Sequence, residues 1–109
     1  MLFRSCVSMP LERARKGVSA VLFMIVETYR PGVADRIYQR LRERGRMMPP
    51  GLEYVDSWVT MDMARCFQLM RTDRHELLGE WMDAWRDLID FEAVQVQSSA
   101  EAAAAAKTQ

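Results

Sequence analysis

Six residues in this chain have side chains suited to holding or acting on a small molecule: Tyr54, Asp56, Trp58, Cys66, Gln68 and Glu92. Asp56 and Glu92 are carboxylates able to act as a base or to hold a cationic group. Gln68 and Tyr54 can orient a carbonyl or hydroxyl, and Trp58 supplies an apolar wall. Read together they are the candidate lining of a ligand cavity; the competing reading is that they satisfy one another across an interface, as buried polar groups usually do. Arg46 and Arg65 fall near strand ends, where a guanidinium meets an anionic ligand at a cavity mouth. A salt bridge with Asp56 or Glu53 is the plainer role for them. Cys66 would need a neighbouring base to serve as a nucleophile. The one histidine, His75, lies in the first turn of a helix facing solvent, so an inert buried thiol is the favoured reading. No residue is assigned as catalytic. A lone histidine makes no metal centre, and no cofactor is expected.

Composition narrows the classes. The 109 residues suffice for one domain, half of them are apolar, and the charged 28% balance to a formal net charge of zero. A balanced chain lacks the basic stripe of a nucleic-acid binder and the charge of a membrane-surface protein. Two lone cysteines, Cys6 and Cys66, form no disulfide framework and fit a reducing compartment, so a cytoplasmic protein is expected. The apolar run from Val18 to Val26 is too short to span a bilayer, and no small-residue cleavage site follows it.

The elements that must position these residues follow from periodicity. Val21 to Val26 reads as a central strand, apolar on both faces. Pro31-Gly32 then opens an amphipathic helix with Val33, Ile37 and Leu41 on its dry side and Gly45 at its end. After the Pro49-Pro50-Gly51 turn, Leu52 to Thr60 alternates, with Tyr54, Asp56 and Trp58 on one face and Val55, Ser57 and Val59 on the other. Arg65 to Met70 alternates likewise, placing Cys66, Gln68 and Met70 together and opposite Phe67 and Leu69, so the two runs form a hairpin. Asp73 with Glu76 reads as the capping box of a second helix, striped by Leu77, Trp81, Trp85 and Leu88. Ile89 to Val96 is the last strand. Residues 1–18 are expected to lie outside the fold, as a disordered extension or as residues upstream of the true start, with a basic targeting arm as the competing reading. Residues 20–98 form the domain and 99–109 an alanine-rich tail able to form a fraying helix.

Strand, helix, strand, strand, helix, strand with right-handed crossovers closes as an α+β, ferredoxin-like βαββαβ fold: a four-stranded antiparallel sheet of order 4-1-3-2 with two helices on one face. The other face is then bare. Four strands at about 4.8 Å spacing and about 20 Å long expose on the order of 400 Å². With Tyr54, Trp58, Cys66 and Met70 expected there, that face calls for a second copy, giving an isologous homodimer with a cavity between the sheets.

The chain resembles a family. Phe23-Met24-Ile25-Val26-Glu27, Tyr29-Arg30-Pro31-Gly32, Gly45-Arg46-Met47, Gly51-Leu52, Asp56-Ser57-Trp58, Arg65-Cys66-Phe67-Gln68-Leu69-Met70, Trp81 with Trp85, Asp87-Leu88 and Phe91-Glu92 carry the likeness. It resembles the bacterial "domain of unknown function 3303" family of the dimeric α+β barrel superfamily, from about Val21 to about Ala102. The resemblance implies the fold and a sheet-to-sheet dimer and implies no activity. Three functions follow as expectations. The first is a homodimer binding a small molecule between its sheets. The others are a cofactor-independent enzyme of monooxygenase or isomerase type acting there, and a purely structural or interaction dimer without a cavity. Neither nucleic acid nor membrane is an expected partner.

Overall fold

The structure is a computed structural model that describes residues 21–107; the expectations for residues 1–18 and for Cys6 fall outside the described residues. The chain runs β1 (Val21–Tyr29), α1 (Ala34–Arg44), β2 (Glu53–Val59), β3 (Arg65–Thr72), α2 (Glu76–Asp83), β4 (Ile89–Val96) and α3 (Ser99–Lys107). The strands make one four-stranded sheet in the order β2-β3-β1-β4, every pair antiparallel, which is the expected order read from the other edge.

β1 is central because its apolar side chains can be covered from both sides of the sheet. It pairs with β3 from Val21↔Thr72 to Thr28↔Arg65 and with β4 from Leu22↔Val96 to Tyr29↔Ile89. Its odd-numbered residues Ile25, Glu27 and Tyr29 are buried under α1 and α2. Ile25 and Tyr29 pack with Ile37 of α1, with Leu77, Leu78 and Trp81 of α2, and with Trp85 and Leu88 just beyond it. Its even-numbered residues Leu22, Met24, Val26 and Thr28 take the opposite face.

That register corrects the expected faces of the hairpin. Cys66 lies opposite Glu27, Gln68 opposite Ile25 and Met70 opposite Phe23, so all three sit on the helix side, 5%, 5% and 0% exposed. In β2 the pairing steps from Tyr54↔Met70 to Asp56↔Leu69, a β-bulge that inserts Val55 as an extra residue. The bulge reverses the alternation. Tyr54 therefore shares the helix side with Ser57 and Val59, while Asp56 and Trp58 remain on the open side with Phe67 and Leu69. Tyr54 Oη and Ser57 Oγ, 2.7 Å apart, hydrogen bond across the bulge.

Helix ends also differ from expectation. α1 begins at Ala34, with Pro31 and Gly32 in the preceding turn. α2 begins at Glu76 with no side-chain cap: the Thr72 hydroxyl accepts from Arg74 N–H instead, and Glu76 pairs with Arg74. A capping box does form at α3, where Ser98 Oγ accepts from Glu101 N–H and the Glu101 carboxylate accepts from Ser98 N–H. No residue of α3 is buried.

Ile25 is fully enclosed at the centre of the core. Ile25→Ala should lower the unfolding free energy by about 2–5 kcal/mol, with the urea m-value unchanged, in equilibrium unfolding followed by circular dichroism.

Candidate functional site

Between the sheet and the helices lies a chamber of about 80 Å³. Its polar lining is Glu27, Tyr29, Tyr38, Arg46, Ser57, Cys66 and Gln68; Trp81, Trp85, Ile37 and Leu41 wall the rest, and Val59, 41% exposed, lies where it meets solvent.

Glu27 is 5% exposed, and among the described residues its carboxyl makes no hydrogen bond or close ion pair. A carboxylate stripped of water and given no donor resists ionisation. Burial accordingly pushes its pKa from the usual carboxylate range to about 7, with Arg46 acting weakly against the shift. The same burial, followed by the neighbouring Glu27 charge, pushes the Cys66 thiol up to about 11, which disfavours the thiolate that a nucleophile needs. Burial and a hydrogen bond with Tyr38 raise the Tyr29 phenol as well. Gln68 Nε2 donates to Met70 Sδ at 3.2 Å, and its carbonyl oxygen accepts nothing among the described residues.

Arg46 reaches the chamber from the α1–β2 connection, and the backbone there is held in an unusual shape. Gly45 has φ +67° and ψ −162°, a conformation open in practice only to glycine. Met47 follows at φ +58°, uncommon for a side chain of its size. The carbonyl oxygen of Arg46 between them accepts both indole N–H groups, from Trp81 at 3.0 Å and from Trp85 at 3.1 Å. Two buried donors on one acceptor pin the loop and offset its strain. The guanidinium lies 3.7 Å from the centre of the Tyr54 ring and makes no hydrogen bond or ion pair among the described residues.

The structure thus splits the eight sequence candidates. Tyr54, Cys66, Gln68 and Arg46 gather on the helix side, in or beside the chamber. Asp56, Trp58, Glu92 and Arg65 lie on the open sheet face, all exposed. Asp56 accepts from the N–H of Ser57, Glu53 pairs with Arg71, and Arg65 stacks 5.4 Å over Phe67, so neither expected Arg65 salt bridge forms. Glu27 was missed because the run before it reads as apolar on both faces. The signal available was parity: Glu27 is two residues from Ile25 and two from Tyr29, both apolar on one strand face. A second, larger hollow of about 390 Å³ lies at the loop end of the sheet beside Arg30, Asp35 and Asp62. Asp62 is already engaged there by the Thr60 hydroxyl and Ala64 N–H. Among the described residues no group of three or more acidic, histidine or cysteine side chains is arranged to hold a metal, and no helix is long and apolar enough to cross a membrane.

An α+β sheet with one helix-covered face and a buried acid beneath the helices defines the class. Residues 21–109 match the family described as Domain of unknown function (DUF3303), and the chain belongs to that family. No curated protein and no solved structure matches it.

The Glu27 shift sets a pH dependence of stability. Its folded pKa, about 7, lies above the unfolded value of 4.5, so the folded state binds the extra proton between those limits. Stability should fall as pH rises through that window, by about 3 kcal/mol in all, and level off above it. Glu27→Gln should remove this fall and leave the variant more stable than the wild type at pH 8, as read by urea unfolding at pH 5, 6, 7 and 8. Parallel curves for the two proteins would show that Glu27 ionises freely.

Proposed function

We propose that this protein is a small-molecule-binding homodimer, each subunit taking its ligand in the chamber beneath its own helices. The observation that carries the reading is Glu27: a carboxyl buried against a cavity with no hydrogen-bond partner among the described residues. Such a group is costly unless something that enters the cavity completes it. The sequence expectation put the ligand between two sheets; with Tyr54, Cys66 and Gln68 on the helix side, the polar groups favour the inner chamber instead.

The dimer rests on the open face. Leu22, Met24, Val26, Phe67, Leu69 and Trp58 form an apolar strip across three strands, with Trp58 51% exposed. Val94, on β4, extends it and is 42% exposed. If half of the roughly 400 Å² face is apolar, covering it is worth about 5 kcal/mol per subunit. Stable interfaces bury about 800 Å² per partner, so the flanking loops and α3 would supply the remainder. α3 suits that part, because a nine-residue helix with nothing buried is marginal alone. This is the arrangement of a dimeric α+β barrel. The free, buried thiol of Cys66 fits a reducing, cytoplasmic setting.

A second reading, a cofactor-independent enzyme, draws on the same residue, because a carboxyl with a pKa near 7 can both take and return a proton at neutral pH.

Native mass spectrometry of the full chain purified from its host should report a dimer retaining a small molecule. Trp58→Glu should give monomers of unchanged far-ultraviolet circular dichroism. A wild-type monomer would sink the dimer, and a dimer free of any ligand would sink the chamber.

A further inference from the structure

Of the groups lining the chamber, one acid and one base find no polar partner among the described residues. Glu27 has no donor, and the Arg46 guanidinium has only the Tyr54 ring among the described residues. Among the described residues of the lining Arg46 is the sole cation and Glu27 the sole acid. We propose that the chamber is a binding site for a small monocarboxylate, held between the Arg46 guanidinium and the carboxylic O–H of Glu27. The inference rests on the reading of the chamber as a ligand site and names the class of ligand.

Charge balance selects an anion. Around neutral pH Glu27 holds a proton for much of the time, which leaves the positive charge of the half-buried Arg46 without a counter-charge in the lining. A monoanion neutralises it and accepts hydrogen bonds from both groups. A guanidinium matches a carboxylate in shape, and a protonated buried carboxyl is a strong donor to one. An organic cation would instead put a second positive charge beside Arg46. A neutral amide would leave the charge standing.

Size and walls select a short one. The chamber, about 80 Å³, has roughly half the volume of an apolar cavity that admits benzene, so it takes about three to four heavy atoms and acetate is near its limit. Trp81, Trp85, Ile37 and Leu41 offer an apolar lining for a short aliphatic end.

Binding then carries a proton signature. The charged or titratable groups facing Glu27 are Tyr29 on its own strand, Cys66 on β3, Tyr38 on α1 and Arg46 on the connection. Burial raises Glu27 to about 7 and pushes this thiol up to about 11, so Glu27 is the group that sets the proton balance of binding between pH 6 and pH 8.5. Above about 7 the anion must bring a proton with it, and affinity falls about tenfold per pH unit.

The test is isothermal titration of the full chain with sodium acetate, methylammonium chloride and acetamide between pH 6 and 8.5. Acetate should bind at pH 6 and weaken about tenfold per unit above pH 7. Glu27→Gln, which keeps a neutral donor in place, should retain the pH 6 affinity within about threefold and lose the pH dependence. Arg46→Gln should lose acetate by more than about tenfold, while its backbone carbonyl still receives both indoles. Binding of methylammonium or acetamide in place of acetate would overturn the ligand class and leave the chamber a binding site. Acetate affinity that is independent of pH in the wild type, or lost in Glu27→Gln, would overturn the role of Glu27. Absence of binding by all three probes overturns the proposal, and the retained-ligand measurement then decides whether the chamber reading falls with it.

Discussion

A strand hydrogen-bonded on both sides has no freedom to choose which of its faces goes inside. β1 pairs with β3 along one edge and with β4 along the other, each over eight residues in continuous antiparallel register. To turn Glu27 outward the strand would have to slip by one residue. That slip would carry Ile25 and Tyr29 out of the core with it and push Leu22, Met24 and Val26 in. The sheet can bear one buried carboxyl far more cheaply than it can bear that exchange. Everything that distinguishes the chamber follows from this constraint: the displaced pKa, the thiol opposite pushed up with it and the need for polar company.

The surroundings of the acid are organised by a second device of different character. Helix α1 ends on Gly45, the chain turns through two residues of positive φ, and the two tryptophans hold the carbonyl between them. The side chain attached to that carbonyl is thereby aimed inward. One acceptor shared by two indoles costs the tryptophans little, since each buried N–H is satisfied. It fixes the position of Arg46 relative to the core rather than to the flexible remainder of the connection. Salt bridges elsewhere contribute little by comparison. Arg40 clasps Asp87 at 2.8 Å through both oxygens, which holds Asp87 down to about 2, but the carboxylate sits in solvent.

Much of the architecture was legible in the residues. The order of elements, their approximate limits, the central place of β1 and the core role of Trp81 and Trp85 all follow from patterns of two and of three to four. The faces of the hairpin were not legible, for two separate physical reasons. β3 has apolar and polar residues on both sides, so Cys66, Gln68 and Met70 compete evenly with Phe67 and Leu69 for the core until the register with β1 decides. In β2 the bulge at Val55 is set by pairing with β3 and by the Tyr54–Ser57 hydrogen bond, and nothing in a stretch of alternating residues announces it. Glu27 was hidden by its neighbours: a run read as greasy throughout invites no question about the one acid at its end. Of the four site candidates on the open face, Trp58 and Asp56 stand where the alternation put them.

The bulge has one more effect, on what the border of the sheet offers to other strands. β2 borders the sheet, and a border strand with an unbroken row of amide groups can recruit another such strand and grow into a ribbon. The residue inserted at Val55 interrupts that row, so this border offers an incoming strand a broken template, whereas β4 at the opposite border runs without a bulge.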